Sequence, residues 1–308
     1  MELEHLGWKG YGEAPAISYY NIPVEKMIED LERKKLFVEK FAFTEPERWW
    51  HYLHHLYPAN NFLVCALDMA GWDLFGKMKR RELKSFWQPQ TPLQPVCDYT
   101  IGIDTIDKMV EKLKEKPWPV YKIKLGTDRD IEIIEALRKE TASVFRIDAN
   151  AAWTADEALE KIKAFKELGV EFIEQPLARD DWDGMRFLRE HSPLPLFADE
   201  SCVVESDVEK CAPHFHGINI KLTKCSGITP ALRMIRKARE LDLKVMIGAM
   251  NESTLGSAAI AHLMPLIDLV DADGPLLLAE DIATGLRYLD DGQILTSGEP
   301  GLGVQLIS

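Results

Sequence analysis

The stretch Tyr121-Lys122-Ile123-Lys124-Leu125 alternates apolar and basic side chains. A period of two belongs to a β-strand, so both lysines share one face and the three apolar residues take the other. Outward from it, short apolar runs end in polar residues at nearly constant spacing. Asp148 lies 24 residues after Lys124, Glu174 26 later, Asp199 25 later and Lys221 22 later. The Gly248–Glu252 segment follows, and Asp271 and Asp273 close the series, the first of them 50 residues beyond Lys221. About 25 residues is the length of one strand, loop and helix. In a barrel of parallel β/α units the strand ends converge on one mouth, so this ladder brings three carboxylates and two lysines into one pocket.

Eight strands are predicted: Tyr99–Ile103, Val120–Leu125, Val144–Ala149, Phe172–Gln175, Leu196–Asp199, Gly217–Leu222, Lys244–Ile247 and Leu266–Asp273. Amphipathic stretches such as Asp128–Lys139 and Thr154–Leu168 separate them. That alternation favours an α/β barrel over an open sheet. Residues 1–92 lie outside the rhythm. Pro23–Phe41 and Asn60–Lys79 read as helices, the second with a buried stripe through Leu63, Ala66, Leu67, Ala70, Leu74 and Phe75, so a mostly helical cap is expected. Trp87–Pro95 holds three prolines in nine residues and reads as a linker. The expected division is 1–92 for the cap, joined by the returning Gly- and Pro-rich segment 290–308, and 93–289 for the barrel.

The chain has 308 residues, 46% of them hydrophobic, enough for a large core, and its formal charge is −13. This acidity argues against nucleic acid or an anionic membrane as partner. Cys65, Cys97, Cys202, Cys211 and Cys225 are an odd set without CxxC spacing, which points to free thiols in a reducing compartment and hence the cytoplasm. The start, Met-Glu-Leu-Glu-His, has no apolar signal core, and no run of about 18 apolar residues suggests a membrane span. A homo-oligomer is compatible with the sequence, which does not fix the state.

Lys122 and Lys124 are expected to face the barrel interior, where their repulsion and partial desolvation would lower one pKa toward the range of a general base. Asp148, Glu174 and Asp199 could each be a helix cap taken singly. Brought together they repel, and a hard divalent cation with oxygen preference, Mg²⁺, relieves that cost; thiolate or imidazole ligands for zinc are missing from these positions. Asn219 and Lys221 share a face on the next strand, which makes Lys221 the inward lysine and leaves Lys224 as a solvated charge or secondary contact in the following loop. Asp271 and Asp273 share parity on the last strand. They read either as loop caps or as a cradle for a substrate ammonium. His51, His54 and His55 beside Trp49 and Trp50 have no carboxylate partner in view and read as a helix face, and Gly10-Tyr11-Gly12-Glu13 is too short for a nucleotide motif.

Together YKIKLG, RIDAN, FIEQP, FADES, INIKLTKCSG and DADG resemble the enolase superfamily, within its muconate-lactonizing group, over nearly the whole chain. The mandelate-racemase branch is less similar, because Gly248-Ala-Met-Asn-Glu252 lacks the histidine base it would carry there. The resemblance implies a modified (β/α)7β barrel with a smaller α+β cap, here N-terminally shortened. The aspartate pair resembles that of dipeptide epimerases, which implies Ala-Glu dipeptide epimerisation on peptidoglycan fragments through an enediolate. On that resemblance Asp148, Glu174 and Asp199 bind Mg²⁺, Lys124 and Lys221 are the acid/base pair, and Lys122 tunes Lys124. Asp271, Asp273, Asn150 and Glu252 then contact the substrate. An o-succinylbenzoate synthase or N-succinylamino acid racemase would share the metal site and lysines without needing the aspartate pair, and a truncated, non-catalytic binding protein is a third reading.

Overall fold

The computed structural model describes residues 1–17, 21–87 and 89–307; Gln88 of the linker and Ser308 of the closing segment lie outside the described residues. The chain opens with an antiparallel hairpin, β1 (Glu2–His5) and β2 (Trp8–Tyr11). Helices α1 (Val24–Glu39), α2 (Pro46–Leu56) and α3 (Asn61–Lys79) follow. The Asn60 side chain caps α3 by accepting from Leu63 N at 3.1 Å. This helix is buried on almost every side because β2 covers one flank and the barrel another. Gly10 and Gly12 make the first contact possible: a Cβ on either would sit on the α3 backbone at Ala70 or Ala66. The GYGE run is thus a packing device.

The barrel strands are β3 (Tyr99–Ile101), β4 (Val120–Lys124), β5 (Val144–Asp148), β6 (Val170–Glu174), β7 (Leu196–Ala198), β8 (Gly217–Ile220), β9 (Lys244–Gly248) and β10 (Leu269–Asp271). They form one parallel sheet in chain order. A parallel bridge between Cys97 and Val270 and a bond from Thr100 N to Asp273 Oδ2 at 2.6 Å bring its two edges together. The period of two decides what fills the interior. Phe172, Phe197, Met246 and Leu269 form a small apolar cluster at the lower end, separate from the main core, and the polar ends of the same strands lie above it. Tyr121, Ile123, Phe145, Ile147, Ile173, Ile218 and Ile247 point the other way, into the layer shared with the helices. Gly248 leaves room inside for the Asn219 amide, which a Cβ there would strike.

Helices α4 (Ile106–Glu115), α5 (Asp130–Glu140), α6 (Ala155–Glu167), α7 (Trp182–His191), α8 (Asp207–Cys211), α9 (Leu222–Cys225), α10 (Ile228–Glu240) and α11 (Thr254–Leu263) connect the strands, and α12 (Gly274–Leu277) follows the last of them. Six of the eight predicted strands are shorter than expected, and two of the differences bear on the site. The sixth stops at Ile220 because Leu222–Cys225 turns at once into α9, and the last ends at Asp271, so Asp273 lies beyond the strand at the N-terminal cap position of α12.

The cap is fastened to the β8 side of the mouth. Asp68 of α3 accepts from Thr229 N at 3.0 Å and Thr229 Oγ1 at 2.7 Å at the start of α10, Trp50 Nε1 donates to Ser226 O at 3.1 Å, and Asn61 Nδ2 donates to Lys224 O at 2.8 Å. Glu13 accepts from Ser253 N at 2.9 Å and Gly256 N at 2.8 Å at the start of α11. The closing segment returns to α3, where Leu302 N donates to Asp73 Oδ1 at 2.8 Å. All five cysteines are free and buried. No helix among the described residues is long and apolar enough to cross a membrane.

Candidate active site

Asp148 and Glu174 end neighbouring strands, and Asp199 stands one residue beyond the next. Each offers a carboxylate oxygen within 4.8 Å of the others, and all three are buried. Burial pushes the Glu174 carboxyl up to about 7, with the Asp148 charge adding to it. Burial also opposes ionisation of Asp148, but Lys122 and Lys124 outweigh it and hold that carboxyl at about 2. An all-oxygen set of this kind, one member of it pushed toward neutrality by burial and by its neighbours' charge, fits a hard divalent cation such as Mg²⁺.

The lysines flank this set from β4 and the end of β8. Lys122 is deepest, its side chain 3% exposed, with Nζ 2.7 Å from Asp271, 2.9 Å from Glu174 and 3.1 Å from Asp148. Lys124 Nζ lies 2.6 Å from Asp148 Oδ2 and 3.2 Å from Asn150 Oδ1; at 27% exposure it is the most open lysine of the set. Lys221 Nζ lies 2.9 Å from Asp199 Oδ2. Of the Lys122–Lys124 pair, the expected lowering does not occur at Lys122, and Lys221 shifts the same way. Burial disfavours their charge, but Asp271, Glu174 and Asp148 for the first, and Asp199 above all for the second, raise both above the ordinary lysine value.

Of the two readings open for Lys224, the structure excludes the first and fits the second. It is no solvated charge: α9 carries it under the mouth, where the fully buried ammonium donates to the Asp199 carboxylate, to Cys202 O at 3.0 Å and to Asn219 O at 3.3 Å. Asn219 Nδ2 in turn donates to Glu174 Oε1 at 2.7 Å. Sequence parity put Asn219 inside the barrel but gave no signal for this contact. Glu200, not singled out in the sequence, is also buried here and accepts from Asn150 Nδ2 at 3.2 Å.

Asp271 and Asp273 reach the same interior. Burial opposes charge on Asp271, but Lys122 holds its carboxyl below the usual range; burial and then the Asp271 charge push Asp273 up to about 6. Glu252 is buried beside Met250 N, from which it accepts, and burial raises it to about 7. His51 does have a carboxylate nearby, with Nε2 3.4 Å from Glu47 on the same exposed face of α2, remote from the mouth.

A closed parallel β/α barrel with an acidic triad on three successive strands and lysines on the strands to either side defines an enolase-like class. Residues 104–307 match the family described as enolase C-terminal domain-like, and the chain belongs to that family. An L-Ala-D/L-amino acid epimerase of Maribacter sp. is 53% identical over 97% of this chain and 89% of its own length. The L-Ala-D/L-Glu epimerase of Bacillus subtilis, solved with substrate bound, superposes with a TM-score of 0.90 at 28% identity, covering 97% of this chain and 88% of that one. A dipeptide epimerase of Cytophaga hutchinsonii, solved with Mg and D-Ala-L-Val, gives 0.89 at 26% identity over 98% of this chain and 86% of that one.

Proposed function

We propose that this chain is a Mg²⁺-dependent dipeptide epimerase of the Ala-Glu type, which removes the α-proton of the C-terminal residue on one face and returns one on the other. The observation that carries the reading is the order of groups around the barrel. Lys124 and Lys221 stand on β4 and at the end of β8, and the three carboxylates occupy the intervening strands β5, β6 and β7. Two ammonium groups so separated can address opposite faces of one carbon. The epimerase names borne by its relatives support the same reading.

Asp148, Glu174 and Asp199 would hold Mg²⁺, which when bound offsets negative charge developing on the substrate carboxylate. Lys124 and Lys221 give and take the α-proton. Lys122 acts from below, compensating Asp148, Glu174 and Asp271 together. Asp271 and Asp273 accept the substrate ammonium, with Asn150 and Glu252 completing the wall. Residues 1–92 with 290–308 make the cap over this mouth and 93–289 the barrel. The setting is the cytoplasm, and the substrates are fragments of peptidoglycan.

One observation favours a second reading. Asp271 and Asp273 already have partners in Lys122 and Thr100 N, so neither needs a substrate ammonium to justify its burial. An N-succinylamino acid racemase or o-succinylbenzoate synthase is compatible with that. Incubation of the protein and Mg²⁺ in deuterated water with a dipeptide library and the matching N-acylated set tests the choice. α-Deuterium in free dipeptides, Ala-Glu among them, is the expected result; exchange confined to N-acylated compounds would move the assignment.

A further inference from the structure

Lys124 is the more exposed of the two proposed proton carriers, and a hydrogen-bonded chain behind it decides where it points. Besides Asp148 Oδ2, its acceptor is Asn150 Oδ1 at 3.2 Å. Asn150 and Ala151 adopt left-handed backbone conformations, φ +43° and +63°, and Asn150 N donates to Asp148 Oδ1 at 3.0 Å, so the backbone here is fixed. Its amide group has two ends of similar shape, an acceptor and a double donor. Only the first can face an ammonium. Glu200 selects it: Oε1 accepts from Asn150 Nδ2 at 3.2 Å, which takes up the donor end and leaves the oxygen for Lys124. Glu200 is 8% exposed, and its second oxygen is buried with no protein partner among the described residues, so the carboxyl group is held by its surroundings and not by solvent. Among the described residues no amide stands between Lys221 and its acceptor: Asp199 Oδ2 receives it directly at 2.9 Å, and Lys224 holds that carboxylate from behind.

We propose that Glu200 is a positioning residue for Lys124: acting through the Asn150 amide, it keeps the ammonium aimed at one face of the substrate α-carbon and leaves the Lys221 face untouched. This rests on the reading of Lys124 and Lys221 as the two proton carriers. A group that merely stabilised the mouth or the cation site would affect both faces alike, so the asymmetry is the distinguishing mark.

The test combines Glu200→Ala with each single-lysine variant and follows α-proton exchange of L-Ala-L-Glu and L-Ala-D-Glu in deuterated water at saturating Mg²⁺. In Lys221→Ala protein, where Lys124 is the remaining base, Glu200→Ala should slow exchange about 10- to 100-fold, the scale of a misaimed reacting group. In Lys124→Ala protein the same change should stay within about 2-fold, because the chain through the Asn150 amide ends on Lys124 and does not reach Lys221. Glu200→Gln, the variant to use if Glu200→Ala does not fold, should fall between parent and Ala on the Lys124 face only, because an amide offers an acceptor there in one of two orientations. Added to Asn150→Ala, either Glu200 change should cost nothing further. Equal losses in the two lysine backgrounds, or an undiminished loss on top of Asn150→Ala, overturn the inference while leaving the epimerase reading intact. Absence of exchange of either dipeptide by the parent protein overturns both.

Discussion

Lys122 Nζ lies 2.7 Å from Asp271 Oδ2, which joins the second barrel strand to the last across the interior. The same ammonium reaches Glu174 and Asp148, so one buried cation serves two members of the acidic triad and one aspartate of the last-strand pair. Arg146, paired in register with Lys122, lies 3.0 Å from the buried Asp98 and 2.7 Å from Glu171. The barrel interior is therefore built as stacked charge, apolar at the lower end and increasingly acidic toward the mouth. Burying so many carboxylates is tolerable only with cations among them. That arrangement explains why Lys122 and Lys221 are held charged and why a divalent ion has a place at the top.

Removal of Mg²⁺ is the first consequence to measure. Three buried carboxylates without their cation leave the reacting carboxylate of the substrate uncompensated, an electrostatic effect worth several kcal/mol. Exhaustive chelation should abolish α-proton exchange, and added Mg²⁺ should restore it. Full activity after chelation would sink the metal assignment.

The three lysines near the mouth should separate cleanly. Lys124→Ala and Lys221→Ala each ought to abolish epimerisation, while each retains exchange on the one stereoisomer that the surviving lysine serves. Lys224→Met should behave differently. It removes a fully buried cation from Asp199 and three carbonyls, a change on the order of 3–5 kcal/mol in unfolding stability when a buried pair is broken. Urea unfolding and isotope exchange check both. Near-normal epimerisation in Lys221→Ala together with its loss in a folded Lys224→Met protein would reverse the assignment of the two.

His262 gives a pH test remote from the mouth. It is fully buried in α11, with Nδ1 accepting from Lys84 N at 3.4 Å and Nε2 facing Leu302 O at 3.1 Å, and burial pulls its pKa from 6.5 down to about 4. Because the folded value lies below the unfolded one, the unfolded chain binds the extra proton between the two. Stability is thus fully present above pH 6.5 and declines as the pH falls toward 4, by about 3 kcal/mol for a shift of this size. His262→Gln should be less stable at neutral pH yet show a flatter acid limb in urea titrations. An unchanged acid limb would mean that other groups set it.

Much of this site is legible from the chain because a barrel strand exposes its parity. The YKIK alternation puts Lys122 and Lys124 on one face, the ladder around it makes that face the inside of a barrel, and one acid per unit follows from the spacing. What stays hidden depends on where the strand stops. Nothing local says that α9 begins directly after Lys221, yet that turn converts Lys224 from a loop charge into a buried ligand of Asp199. Likewise the last strand ends at Asp271, so Asp273 reaches its place through the α12 cap and through Thr100 on a strand more than 170 residues earlier. The charge state of Lys122 is hidden for the same reason: repulsion between neighbours in sequence is visible, but the three carboxylates around it come from three other strands. Contacts across the interior are a property of closure, which no single segment encodes.

The last prediction concerns the pair at that closure. Asp271 also compensates Lys122, so replacing it disturbs the lysine whatever the substrate, and a loss in Asp271→Asn alone is ambiguous. Asp273 is the cleaner probe. Asparagine there keeps an oxygen for Thr100 N and removes only the charge. If the pair receives an ammonium, Asp273→Asn should lower kcat/KM for L-Ala-L-Glu by about 10- to 100-fold, the scale of one charge-assisted hydrogen bond of about 1.5–3 kcal/mol. N-acetyl-L-Ala-L-Glu brings no cation to that spot; it should be a poor substrate for the parent and lose little further. Steady-state kinetics of both compounds with both proteins decide the matter. Equal proportional losses would assign Asp273 to barrel closure, and efficient turnover of the acetylated compound by the parent would make the succinyl-substrate reading the better one.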